Sequence, residues 1–114
     1  MRKCITAEAI QQYAEASKDR ADIHLNAEAA AKAGFRRPIA HGMYIMGLAQ
    51  SMYLSENPMK WITAYSMKFE KPLLVETVVI FDFKESNDNV LVTVTAETEE
   101  VIASGIFSTK ERFE

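Results

Sequence analysis

Two side chains with acid–base chemistry, Asp19 and His24, lie five residues apart in a polar stretch. A carboxylate and an imidazole that converge across a loop can share one water molecule and serve as base and acid. Aspartates beside helices also act as caps, and we expect Asp22 to be a cap or a solvated charge. The sequence thus predicts an acid–base pair at Asp19 and His24. The alternatives are capping for Asp19 and a surface or satisfied loop position for His24.

A third candidate is Gly42, which stands where a long apolar helix is expected to begin. A backbone N–H at a helix N-terminus is a natural donor to an oxyanion, and the helix dipole strengthens it. The missing side chain lets a carbonyl group come close. His41, directly before this glycine, is expected to hydrogen-bond the backbone and shape the loop.

Hydrophobic periodicity predicts the helices that position these residues. Thr6 is a plausible N-cap for a helix over Ala7–Ser17, and Asn26 for a helix over Ala27–Ala33 that Gly34 ends. Lys18–Leu25 is expected to be irregular. The longest predicted helix, Ala40–Leu54, is apolar around most of its circumference, so we expect it to be buried.

The remaining elements follow the period of a strand. Strands are predicted over Arg2–Ile5, Trp61–Phe69, Leu74–Phe83, Val90–Ala96 and Val101–Thr109. Helices followed by antiparallel strands indicate an α+β fold, with a sheet packed on one long apolar helix. That arrangement is the hotdog fold, although periodicity alone does not select it among α+β folds.

Length and composition limit the classes of function. The 114 residues suit one domain over residues 1–114. A formal net charge of −3 and short basic runs argue against a nucleic-acid partner. No stretch is apolar enough for a membrane span or a signal peptide. The single cysteine, Cys4, cannot form an internal disulfide, and we expect it buried on a strand of a cytoplasmic protein.

Residues from about 10 to 55 resemble the MaoC-like, R-specific enoyl-CoA hydratases, and the strands resemble them in order and length. That family's pattern is roughly Phe/Tyr-Ala-x-x-Ser-Gly-Asp-x-Asn-Pro-x-His, then a helix of small residues, then Gly-Phe-x-x-Pro-Ile-Ala-His-Gly-Met. The residues that match are Tyr13-Ala14, Ser17, Asp19, His24, Ala29-Ala30, Gly34-Phe35 and Pro38-Ile39-Ala40-His41-Gly42-Met43. The resemblance implies a hotdog fold, a homodimer or a larger assembly of dimers, and addition of water to trans-2-enoyl thioesters or the reverse dehydration.

The resemblance also implies roles for single residues. Asp19 and His24 would position and activate the water, and the Gly42 N–H would hold the thioester oxygen. We count four further residues as candidates for substrate binding: Arg36, Arg37, His41 and Met43. The arginines are either solvated or hold phosphates of coenzyme A or a carrier protein's pantetheine, and Met43 lies in the core or an acyl tunnel. Coenzyme A or pantetheine enters only as part of the substrate, and no cofactor or metal site is implied.

The chain departs from the family pattern beside the acid–base pair. Lys18, Ala21 and Asp22 stand where the pattern has glycine, asparagine and proline. These changes put rate and substrate range in question. One alternative is an acyl-CoA thioesterase, but the carboxylate that such an enzyme usually needs on the long helix is missing between His41 and Leu54. The other is a hotdog module that binds acyl groups without catalysis.

Overall fold

The computed structural model describes residues 1–112. Its strands are β1 (Arg2–Ile5), β2 (Lys60–Phe69), β3 (Thr77–Ser86), β4 (Asn89–Ala96) and β5 (Val101–Glu111). Its helices are α1 (Ala7–Ser17), α2 (Asp22–Leu25), α3 (Ala27–Lys32) and α4 (Gly42–Glu56). The strands form an antiparallel sheet in the order β1-β3-β4-β5-β2, and α4 packs against it, which confirms the α+β hotdog fold.

Side-chain caps set the ends of the first helices, as the sequence predicts. The Thr6 hydroxyl accepts the Ala9 N–H at 3.0 Å, and the Asn26 side chain accepts the Ala29 N–H at 3.0 Å. Gly34 ends α3 with a φ of 95°, a conformation that glycine adopts without steric cost. After Gly34 the chain continues through residues 35–41 to the start of α4.

The long helix contacts the sheet along one face. Ile45, Ala49 and Tyr53 are buried on that face, whereas Met43 is 64% exposed and Gly47 is also exposed. The helix is therefore buried on one side in the single chain and not all round, because the sheet covers only one side of it. It begins at Gly42, two residues later than predicted, since His41 has extended backbone angles and is the N-cap.

Two expectations about the strands need correction. β3 begins at Thr77 and not at Leu74, because Leu74 forms an isolated bridge with Ile39 and the chain then turns through Glu76, whose φ is 62°. The prediction that Cys4 is buried is wrong. Cys4 is exposed on β1, and its neighbour Ile5 points into the core, because successive side chains of a strand alternate between faces.

The core lies between the sheet and the covered face of α4. Its largest fully buried side chains are Phe81, Phe107, Ile5, Ile10, Ile45, Val79, Val90, Val92 and Val94. At the junction of β2 and β5, Gly105 allows the two backbones to approach closely. No helix within residues 1–112 has both the length and the apolar character of a membrane-spanning segment.

We expect Gly105→Ala to lower the free energy of unfolding by about 1–3 kcal/mol, the usual range for overpacking. A Cβ at this position would lie 2.5 Å from the backbone oxygen of Ser66, which cannot move without shifting β2. Urea denaturation measures the change. Ser104→Ala, at the exposed neighbouring position, is the matched control. Equal stability of the two variants would contradict the close spacing of β2 and β5.

Candidate active site

A short helix that the sequence did not predict carries His24. Residues 22–25 form α2, in which the Asn26 N–H donates to the Asp22 oxygen at 2.8 Å. The Ile39 N–H donates to the Ile23 oxygen at 3.0 Å, which ties α2 to the segment before α4. The sequence signal was weak, since four residues show no periodicity and Asp22 at the first turn is the only hint of a helix start.

The His24 ring is oriented by a backbone carbonyl. Its Nδ1 lies 2.7 Å from the oxygen of Ile39. A carbonyl oxygen only accepts hydrogen bonds, so Nδ1 carries the proton, and Nε2 of the neutral ring has the free lone pair. His24 also lines a cavity of about 310 Å³ at the N-terminus of α4. The histidine is therefore held in the tautomer that a general base requires.

His41 connects the N-terminus of α4 to the loop that carries Asp19. The residue is 3% exposed, and its Nε2 lies 2.8 Å from the backbone oxygen of Asp19. Its ring stacks on that of His24, with centroids 3.8 Å apart and 20° between the planes, and Tyr13 packs against its edge. The hydrogen bond to the Asp19 backbone confirms the structural role that was predicted for His41. Its Nδ1 is buried without a hydrogen-bond partner among residues 1–112.

Asp19 lies beside the two imidazoles. One carboxylate oxygen of Asp19 and one ring nitrogen each of His24 and His41 lie within 4.8 Å of one another. At this separation, one water molecule can hydrogen-bond to the carboxylate and to an imidazole simultaneously. The carboxylate also accepts the Ala21 N–H at 3.3 Å and so stabilises the turn, although the N-cap of α2 is Ala21 and not Asp19.

The loop backbone before Asp19 is strained. Lys18 ends α1 with a φ of 68°, in the left-handed region. This conformation costs a non-glycine residue about 1–2 kcal/mol, whereas the glycine of the family pattern adopts it freely. The substitution at Lys18 therefore preserves the direction of the loop at a cost in stability.

Asp19, His24 and His41 are also of metal-ligating types, but their arrangement suits a metal poorly. The His24 Nδ1 and the His41 Nε2 are both within hydrogen-bonding distance of backbone carbonyls. The two stacked rings are nearly parallel, so their in-plane lone pairs lie in two separate, nearly parallel planes. Nitrogen ligands of zinc must instead converge on one point at about 2.0–2.1 Å. The cluster fits a shared water better than a metal ion.

Gly42 lies at the wall of the same cavity as His24. It is the first residue of α4, where the N–H groups have no acceptor within the helix and the dipole is positive. A Cβ on Gly42 would lie 3.2 Å from the ring of Phe69, so the glycine allows this ring to pack closely against the start of α4. The other lining residues are Ile39, Ala40, Ile45, Phe69, Glu70, Lys71, Pro72 and Leu73. Asp19 is within reach of His24 but does not line the cavity.

The structure separates the remaining candidates from this centre. Met43 is largely exposed on α4 and does not line the cavity. Arg36 is exposed and Arg37 half-buried, and both line a second groove. The structure thus brings Asp19, His24 and His41 together beside Gly42, and it places the two arginines at a different surface.

The sequence matches a known family along most of its length. The family described as MaoC like domain matches residues 2–108. A curated relative, the mitochondrial 3-hydroxyacyl-(acyl-carrier-protein) dehydratase of Arabidopsis thaliana, is 29% identical over 73 residues. That match covers 64% of this chain and 44% of the relative, so the chain spans less than half of the relative's length.

Solved structures share the fold. The (R)-hydratase from A. caviae is 23% identical with a TM-score of 0.78, covering 96% of this chain and 90% of that chain. An R-hydratase from Pseudomonas aeruginosa in the unliganded form is 21% identical with a TM-score of 0.85, covering 100% of this chain and 79% of that chain. At these identities the likeness shows the fold and does not transfer the role of any residue.

We expect His41→Ala to lower the free energy of unfolding by about 2–4 kcal/mol, because it removes a buried ring and a hydrogen bond to the Asp19 oxygen. His41→Gln keeps an N–H donor and should lose less. Amide hydrogen exchange should be faster at residues 19–22 in the alanine variant. Unchanged exchange there would contradict the role of His41 in holding this loop.

Proposed function

The chain belongs to the family of MaoC-like domains, and we propose that it interconverts trans-2-enoyl thioesters and (R)-3-hydroxyacyl thioesters by adding or removing water. The observation that carries this proposal is the approach of the Asp19 carboxylate to the imidazole of His24, within 4.8 Å, beside a cavity that Gly42 also lines. Coenzyme A or pantetheine takes part only as the thioester carrier. A cytoplasmic location and a single domain over residues 1–114 stay predictions, and residues 113–114 lie outside the described range.

In the hydration direction, one water molecule would lie between Asp19 and His24. The Nε2 lone pair of His24 takes a proton from the water as its oxygen bonds to the β-carbon, and the electron pair of the double bond moves toward the thioester carbonyl. The imidazolium then returns a proton to the α-carbon, so the net change is addition of one water. Asp19 orients the water and stabilises the transient imidazolium by charge.

The negative charge on the thioester oxygen needs a donor that is already in place. The first-turn N–H of Gly42 would supply it, because it has no acceptor in α4 and lies at the positive end of the helix dipole. Removal of one such donor typically costs about 10²–10³ in rate.

We further propose that two copies associate through the open face of α4, as a homodimer or within a larger assembly. Gly47 supports this, since a glycine inside a helix costs about 1 kcal/mol relative to alanine. A Cβ there would meet no atom within 4 Å, so no contact in the single chain explains the glycine. Strand β2, which contacts α4, lies at the edge of the sheet, so among residues 1–112 it pairs on one side only and a strand of a second copy could pair with its other side.

Asp19→Asn and His24→Asn should each lower the rate of crotonyl-CoA hydration by about 10²–10⁴, the range for loss of a general acid–base group. Loss of the absorbance of the conjugated thioester follows the reaction. Asp22→Asn is the matched control, because Asp22 is an exposed acid at the start of α2 and outside the cluster, and it should keep nearly the wild-type rate.

Two results would overturn this mechanism. The assigned acid–base pair is wrong if either variant keeps the full rate. Release of free thiol without hydration would instead indicate a thioesterase, and binding of the thioester without any turnover would indicate a non-catalytic module.

Gly47→Arg should convert the assembly to monomers, because the side chain fits the open space of the single chain but collides with a second helix packed there. Light scattering measures the mass in solution. Ala31→Arg, at an exposed position of α3, is the control and should leave the assembly intact. A Gly47→Arg protein with the mass of the wild-type assembly would exclude this face as the interface.

A further inference from the structure

A second groove, of about 750 Å³, adjoins the candidate active site. Its walls come from residues 34–37, from residues 71–78 and from the turn between β4 and β5. Lys71, Pro72 and Leu73 line this groove and also the cavity that contains His24 and Gly42. Because the two spaces meet at this segment, one elongated ligand can occupy both.

The acidic side chains that line the groove already have partners. The three pairs are Glu76 with the Ala7 N–H at 2.9 Å, Glu97 with Arg2 at 2.9 Å, and Glu100 with Lys71 at 2.7 Å. Glu97 and Glu100 are therefore neutralised by cations, whereas Glu76 is bonded to a neutral N–H and keeps its single negative charge.

Arg36 and Arg37 are the groove cations that form no ion pair within residues 1–112, and their two charges exceed the single negative charge of Glu76. Arg37 is half-buried and is held by neutral acceptors, with its Nε 2.8 Å from the Val75 oxygen and its Nη2 3.3 Å from the Thr77 hydroxyl. Arg36 is exposed beside it, and neither residue forms an ion pair with a carboxylate of residues 1–112. Charge complementarity therefore calls for an anion from outside the chain.

We propose that this groove binds the phosphate-bearing end of the substrate, with Arg36 and Arg37 as the anion-binding residues. The inference rests on the proposed function and adds where the non-reacting part of the thioester lies. Planar guanidinium groups bind phosphate through two parallel hydrogen bonds. The Arg37 side chain is already held by the Val75 backbone oxygen and the Thr77 hydroxyl, so it would lose little conformational freedom on binding a phosphate.

The spacing along the chain suits such a ligand. Gly42 is five positions after Arg37, so the Cα atoms of the two residues lie at most about 18 Å apart. An extended pantetheine arm covers a comparable length between its thioester and its phosphate. The thioester end would lie beside Gly42, and the arm would cross Pro72 and Leu73 to the arginines. A phosphate on a pantetheine arm is common to coenzyme A and to a carrier protein's prosthetic group.

Titration calorimetry with three probes tests the inference without depending on turnover. Wild type should bind coenzyme A more tightly than pantetheine. Arg36→Gln and Arg37→Gln should each weaken binding of coenzyme A about tenfold, as expected for one charge-assisted hydrogen bond, and should leave binding of pantetheine unchanged. Arg36 makes no contact that holds the fold, so its variant remains informative even if Arg37→Gln is poorly folded. Lys84→Gln, the same loss of charge at an exposed position on β3, is the control.

The third probe, 4′-phosphopantetheine, locates the phosphate that is bound. Sensitivity of its binding to the arginine variants supports the phosphate shared with carrier proteins, whereas sensitivity of coenzyme A alone supports the nucleotide phosphates. The inference is overturned if the arginine variants bind coenzyme A as tightly as wild type does. It is also overturned if their affinity for pantetheine falls by the same factor as their affinity for coenzyme A. Hydration of crotonyl-CoA by such variants at the wild-type KM would reject the groove and leave the proposed function intact.

Discussion

The geometry of the site depends on two hydrogen bonds that run in opposite directions between the same two segments. His24, after the first helix, donates to the backbone oxygen of Ile39, and His41, before the long helix, bonds the backbone oxygen of Asp19. The two rings stack between these bonds. Because each imidazole holds the backbone of the other segment, the carboxylate, the imidazole and the N-terminus of α4 keep one relative arrangement.

These two hydrogen bonds stabilise a loop, residues 18–22, whose own residues do not favour the backbone conformation that it adopts. Lys18 adopts a left-handed conformation that glycine would adopt freely, and Asp22 replaces a residue that would be rigid in the family pattern. A loop with these two properties has little intrinsic preference for one conformation. Burial of His41 and the hydrogen bond between Ile39 and Ile23 supply the constraint from outside the loop.

The long helix links the site to the rest of the fold. One face contacts the sheet, its N-terminus opens to the cavity with His24, and the opposite face is exposed around Gly47. The proposed chemistry would use the unpaired N–H groups at the N-terminus, and the core needs the apolar face covered. A helix that packs one face on the sheet and borders the cavity with its N-terminus meets both requirements. Pro72 and Leu73 line both the cavity that contains His24 and the groove with the two arginines, so the two spaces border each other at this segment.

Local signals in the sequence determined the limits of α1, the start of α3 and the approximate positions of β2, β4 and β5, because a Thr6 cap, an Asn26 cap and alternation of apolar residues act within a few positions. The motif around Asp19, His24 and Gly42 likewise indicated the family. Tertiary structure alone decided that residues 22–25 are helical, that Cys4 is exposed, that the His24 proton lies on Nδ1, and that Arg37 borders a separate groove. The physical reason is that each of these depends on an atom distant in sequence, such as the Ile39 carbonyl or the Val75 carbonyl, which comes near only when the chain is folded.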